Sequence, residues 1–133
     1  MGDALILETT FLIDLEREAA RRAPAAAHAL LERRSGHRLY ITPTVAGELA
    51  AGASMADRTR WEAFVAPFHV LALDRDVCWE YGNAFRYLHA NGLLIGANDL
   101  WIAAAGLAYR MPVVTRNARH LSRVPGLEVM GYA

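Results

Sequence analysis

Lysine is absent from these 133 residues: all fourteen cations are arginine, and fourteen acids balance them to a formal net charge of zero. A neutral total excludes the global basic field that steers many nucleic-acid binders. Arginine forks still suit phosphate oxygens better than that total suggests, although the compositional bias that also gives so much alanine explains them equally well. Cysteine occurs once, at Cys78, which excludes an internal disulfide and a cysteine-based zinc site and leaves core packing as its expected role. Long hydrophobic runs are missing too. Uncharged, mostly apolar stretches such as Leu100 to Tyr109, ten residues, are too short to span a bilayer. No basic-then-apolar segment opens the chain, so the expected location is cytoplasmic, with no membrane contact. Neither G-x-G-x-x-G nor a P-loop occurs, which removes the common nucleotide-binding readings, and no G-x-S-x-G elbow offers a serine nucleophile.

What is present is a 54% hydrophobic chain with 21% charged residues, a balance that predicts one compact domain over residues 1–133. Ala4–Leu7 reads as a short buried strand, a continuous apolar run closed by the acid Glu8. Thr9 or Thr10 is placed to cap the next helix, with Phe11, Leu12 and Leu15 on its apolar face. Pro24 and Gly36 bracket a second helix. Arg38–Thr42 is strand-like, and Thr42-Pro43 opens a helix carrying Glu48. A helix over Ala56–Val65 stops at Pro67, and a strand follows over His69–Leu73. Asp74 caps a long helix in which Val77, Tyr81, Phe85 and Leu88 share a face. Asn91-Gly92 marks a turn. Asn98 is placed to cap a helix over Asp99–Tyr109; Pro112–Thr115 and Leu127–Met130 close the chain as strands. Strands alternating with helices predict a parallel sheet covered on both sides, an α/β fold with right-handed crossovers.

Ligands of such sheets bind beyond the carboxyl ends of the strands. Glu8 ends the first strand, Asn117 follows the strand ending at Thr115, and the helices carrying Glu48 and Asp99 start from the same edge. Three carboxylates brought together repel one another, and a divalent cation resolves the conflict. All-oxygen ligands select a hard ion, Mg²⁺ or Mn²⁺, and that chemistry points to phosphodiester hydrolysis. Each residue also has a plainer reading. Asp99 is favourable at a helix start through the dipole alone, Glu48 fits a surface position, and Asn117 fits a turn. Glu8 is harder to set aside, because a charge at a buried strand end needs partners. Asp14, Glu16 and Glu18 read as a solvated helix face. The histidines lack ligand spacing, with His120 three residues beyond Asn117. Arg116, Arg119 and Arg123 recur at helical spacing, which suits either an RNA backbone or an ordinary solvated face.

The segments ILETTFLIDL, ITPTVAGELAAGA, IGANDLWIAAAGLA and VVTRNARHLSRVPGLEV, in this order, resemble the PIN-domain ribonucleases, and among them the VapC-type toxins of toxin–antitoxin pairs. The likeness runs from Leu5 to about Val129. It implies a PIN-like three-layer α/β/α sandwich with a central, mostly parallel sheet of four to five short strands. It also implies Mg²⁺- or Mn²⁺-dependent endonucleolytic cleavage of RNA such as tRNA or rRNA, a homodimer, and a VapB-like antitoxin as inhibitor. By position, the family's catalytic residues fall on Glu8, Glu48, Asp99 and Asn117, with Thr115 as the accompanying hydroxyl. Glu8, Asp99 and Glu48 would hold the metal, and Asn117 would orient the attacking water. The nearby Thr115, Arg116, Arg119 and Arg123 are candidate RNA contacts.

One departure stands out. The family's first motif reads D-T-N or D-T-S, whereas this chain has Glu8-Thr9-Thr10. The added methylene displaces the carboxylate by about 1.5 Å, so Glu8→Asp is expected to keep or raise activity. The same departure supports an alternative, a catalytically impaired PIN domain that binds RNA or an antitoxin peptide. A third reading is a metal phosphohydrolase acting on DNA or a small phosphate ester.

Overall fold

A computed structural model of the chain describes residues 3–132. The apolar tetrapeptide Ala4–Leu7 forms strand β1, buried along its whole length. Burial on both faces is what a central parallel strand needs, and it explains a continuous apolar run in place of alternation. Helix α1 (Thr9–Ala20) and helix α2 (Ala26–Arg33) follow, then β2 (Arg38–Ile41), α3 (Pro43–Ala51), a 3₁₀ turn at Ala53–Met55, and α4 (Arg58–Val65). Strand β3 (His69–Val70), helices α5 (Arg75–Ala90) and α6 (Ala97–Tyr109), β4 (Val113–Val114), α7 (Ala118–Leu121) and β5 (Val129–Met130) complete the order.

The five strands pair in the order β3-β2-β1-β4-β5, all parallel. The expected α/β sandwich with its short-stranded parallel sheet is therefore observed. From β1 the chain builds outward through β2 and β3, then returns to the other side of β1 to lay down β4 and β5. The order reverses between β1 and β4, and beyond the carboxyl ends of those two strands lies the crevice that open parallel sheets offer to ligands.

Local chemistry moves several element ends. Helix α1 is capped by Glu8, whose carboxylate accepts from the Thr10 amide, and not by either threonine. Helix α6 begins at Ala97 with Gly96 in the cap position, so Asn98 lies inside the helix. The third strand is two residues long, His69–Val70, shorter than the apolar pattern suggested. On α5 the buried face is Val77, Ala84 and Leu88, while Phe85 is 41% exposed and stacks on His89. Cys78 is exposed, not core. No described helix is long and apolar enough to cross a membrane.

Glu18 is the largest correction among the acids. It is buried, and it receives the amides of Ala25, Ala27 and His28 together with His28 Nδ1 at 2.7–3.1 Å. Ala25, the cap residue of α2, supplies no side-chain hydrogen bond, so a carboxylate from α1 caps the neighbouring helix. Burial alone would raise the Glu18 pKa; the His28 ring and the three amides outweigh it and bring it down to about 2.

Helix α6 is apolar nearly all round because it runs through the core, with Ile102, Ala103, Ala104 and Ala105 fully buried. It approaches β4 at Gly106, where an added Cβ would lie 2.6 Å from Leu127 Cδ1, 3.0 Å from Val113 Cγ2 and 3.2 Å from Met111 O. Gly106→Ala is therefore expected to destabilise the fold by about 1–3 kcal/mol through overpacking, read as a lower urea midpoint; an unchanged midpoint would refute the close approach. For Glu18, the unfolded carboxyl titrates near 4.5 and the folded one near 2. Its stabilisation is present above the higher value and is lost as pH falls through the lower. Glu18→Ala should cost about 2 kcal/mol at neutral pH, and the penalty should vanish in urea titrations near pH 2.

Candidate functional site

Glu8 leaves the end of β1 directly into the crevice between β1 and β4, where it is only 4% exposed. A carboxylate taken out of water needs hydrogen-bond donors, and three are supplied. The Thr10 amide donates to Oε2 at 3.1 Å, while the hydroxyls of Thr10 and Thr115 both donate to Oε1, the latter at 2.6 Å. Each hydroxyl has one proton to give and lone pairs left to accept with. Thr10 Oγ1 accepts from the Arg116 amide at 3.1 Å, and Thr115 Oγ1 accepts from the Asn117 amide at 2.9 Å. One chain of hydrogen bonds thus ties the end of β1, the first turn of α1 and the loop after β4.

Thr115 is fully buried inside this chain. It holds Glu8 and presents no surface to a nucleic acid, which removes it from the candidate RNA contacts. Glu48, exposed on α3, is fixed from the other side of the crevice by Thr9, whose hydroxyl donates to Oε1 at 2.5 Å. The adjacent pair Thr9–Thr10 therefore serves two acids, one hydroxyl each. Asp99 sits in the first turn of α6, partly buried at the rim of the core. Its pKa is raised, first by burial, then by the negative charge of Glu8, and further by Glu48. His120 acts in the opposite direction; its Nε2 lies 3.7 Å from Asp99 Oδ2. Asn117 is exposed at the start of α7 and makes no side-chain capping bond.

The fold thus brings Glu8 and Glu48 within electrostatic reach of Asp99, with Asn117 joined to Glu8 through the Thr115 link. Thr9, Thr10 and His120 were not assigned these parts from sequence. The threonines were read only as candidate caps, and His120 only as a neighbour of Asn117. A hydroxyl flanking a strand-end acid is the signal that could have found Thr10; nothing local pairs Thr9 with Glu48, or His120 with Asp99.

Among the described residues, no three His, Cys, Asp or Glu side chains are drawn together closely enough to enclose a metal ion by themselves. Mg²⁺ rarely asks for that, since it is usually held by one or two carboxylates with waters and substrate phosphates completing the shell. The donors here are all oxygen, and the mutual repulsion registered at Asp99 is what a divalent cation would relieve. The residues fit such an ion in charge and in donor type.

Residues 5–127 match the PIN domain family. The chain is 28% identical over 137 residues to a protein named Ribonuclease VapC from Rickettsia bellii, the alignment covering 95% of this chain and 94% of that one. Among solved structures it resembles VapBC2 from Rickettsia felis bound to a promoter DNA fragment, with a TM-score of 0.82, 24% identity and 98% and 99% of the two chains covered. It also resembles VapBC-1 from nontypeable Haemophilus influenzae, with a TM-score of 0.80, 25% identity and 96% and 97% covered.

The seat built by Thr10 and Thr115 accommodates the longer Glu8 side chain, and an aspartate would stop about 1.5 Å short of it. For stability the seat sets an expectation of its own: Glu8→Asp should lose about 1–3 kcal/mol. Thr115→Val, which keeps shape and removes the donor, should show a loss of similar size. Urea midpoints equal to the parent's in both variants would show that the threonine seat does not hold the site together.

Proposed function

The chain belongs to the PIN-domain family, and on that premise we propose that it is a metal-dependent endoribonuclease, the toxin of a toxin–antitoxin pair. The observation that carries this reading is the trio Glu8, Glu48 and Asp99 at the reversal point of a parallel sheet, where burial first, and then the charges of Glu8 and Glu48, raise the Asp99 pKa. The likeness to Ribonuclease VapC over nearly the whole of both chains supports RNA as substrate. The resemblance to VapC partners in VapBC assemblies supports a VapB-like antitoxin as inhibitor. We further infer that the protein works as a homodimer in the cytoplasm and that the RNA is structured, tRNA or rRNA.

Asp99 and Glu48 would hold a Mg²⁺ or Mn²⁺ ion, with Glu8 contributing through the lone pairs its three hydrogen bonds leave and with water and substrate oxygens completing the shell. The chemistry supplied by such an ion is the acidification of water and the offset of negative charge on a phosphodiester. Asp99 is carried by a helix anchored in the core, so its carboxylate keeps its place while substrate comes and goes. Thr9 performs the same service for Glu48, whose exposed side chain would otherwise sample many rotamers. The Asn117 carboxamide, which makes no side-chain hydrogen bond among the described residues, would accept a hydrogen bond from the attacking water through its oxygen and donate one to a phosphoryl oxygen through its nitrogen. No side-chain nucleophile is needed, and no covalent intermediate forms. The Thr10–Thr115 seat supports a Glu8 that is built into the site, which argues against the binding-module alternative.

Cleavage of structured RNA with Mn²⁺, in the presence and absence of EDTA, tests the reading. Chelation should abolish activity, and Asp99→Asn should lower kcat/KM by more than about 100-fold, the upper end for partners that only support a ligand. Cleavage that survives EDTA, or that persists in Asp99→Asn, would refute the metal mechanism. Cleavage of DNA or of a chromogenic phosphodiester in preference to RNA would refute the substrate.

A further inference from the structure

A rim of three carboxylates repels a polyanion, and a chain of zero net charge supplies no long-range attraction to offset it. The compensating charge has to be local. Next to the acids, Arg116, Asn117, Arg119, His120 and Arg123 line a shallow cavity of about 330 Å³, with no carboxylate in its wall. That volume sits at the small end of ligand sites, roughly 300–1,000 Å³, and suits one nucleotide unit.

Two of the three guanidinium groups are held in place beforehand. Arg116 Nη1 donates to Asp14 Oδ1 at 3.0 Å, and the other oxygen of Asp14 accepts from the Tyr132 hydroxyl. The Tyr132 ring meets Phe11 edge-on at 4.9 Å, so this brace reaches into the core. Arg123 Nη1 donates to the carbonyls of Leu93 and Leu94, both at 3.4 Å. A guanidinium has five N–H donors, so each fork keeps most of its capacity. Arg119 is exposed and takes part in none of the ion pairs among the described residues.

The cavity is joined to the acids at two points. His120 lines it and stands 3.7 Å from Asp99. The backbone of Arg116 and Asn117 hangs from the same threonine hydroxyls that grip Glu8. A strand of nucleic acid whose backbone crosses the acids is therefore handed directly to braced arginines, which suit planar, bidentate recognition of phosphate.

We propose that this cavity is an RNA phosphate subsite, holding the phosphate of a nucleotide next to the one cleaved. The inference takes its placement from the hydrolase reading above, and its binding chemistry stands apart from the cleavage step. It is tested with the full chain in EDTA, by anisotropy of a fluorescein-labelled single-stranded RNA octamer across a range of salt. Arg119→Ala and Arg123→Ala should each weaken binding about tenfold and flatten the salt dependence by about 0.7 in log–log slope. Arg58→Ala, on α4 and outside the cavity, should change neither, and circular dichroism with urea midpoints verifies that all variants are folded. Affinity and slope blind to both Arg119 and Arg123 would overturn the subsite. So would displacement of the RNA by polyglutamate at equal charge, because that would reveal unspecific attraction. A protein that cleaves RNA yet binds it independently of these arginines loses the subsite and keeps the hydrolase. One that binds through them and never cleaves keeps the subsite and loses the hydrolase.

Discussion

A nearly dry carboxylate at the end of the central strand organises this molecule. Glu8 is stable there because three donors converge on it, and two of those donors are hydroxyls that in turn accept from the loop beyond β4. Removing any link leaves a buried polar group short of a partner, which costs more than a neutral surface bond is worth. The arrangement is possible only where β1 and β4 lie side by side, because Thr10 and Thr115 are 105 positions apart in the chain. The reversal of strand order therefore creates both the crevice and the means of holding an acid in it.

Around that acid, charge is separated over short distances although the totals cancel. Glu8, Glu48 and Asp99 gather on one side; Arg116, Arg119, His120 and Arg123 gather on the other. Asp99 and His120 stand at the boundary. A polyanion and a divalent cation want opposite surroundings, and on the proposed reading this division would give each its own within one crevice. Asp14 contributes from outside it: by binding Arg116 and the Tyr132 hydroxyl together, it helps hold the tyrosine proton in place, and burial with the Asp14 charge raises the Tyr132 pKa.

The helices that carry the site are fixed by packing, not by their own propensity. Helix α6 is almost wholly apolar, so it is stable only as a core element, and its approach to β4 depends on the missing side chain of Gly106. That anchorage sets where Asp99 emerges. Helix α1, capped by Glu8, also carries the Glu18 carboxylate that accepts the amides at the start of α2. Two acids of the same helix thus fix its entry from the sheet and the path of the chain that follows.

Much of this was readable in one dimension. Continuous apolar runs closed by polar residues mark buried parallel strands, and β1 and α3 follow the pattern of Ala4–Leu7 and Thr42-Pro43 residue by residue. Glu8 declared itself because a charge at the end of such a run must be satisfied by something. The partners did not declare themselves. Glu18 resembled a solvated acid beside Asp14 and Glu16 until α2 folded its amides onto it, and Phe85 and Cys78 fitted an apolar pattern that the neighbouring helix did not cover. Periodicity and turn chemistry are local, so the linear chain determined which segments form and which acids stand at their ends. Hydrogen bonds between Thr9 and Glu48, Thr115 and Glu8, or contact between His120 and Asp99, join positions that only the parallel pairing of distant strands makes neighbours. Tertiary structure alone decided those.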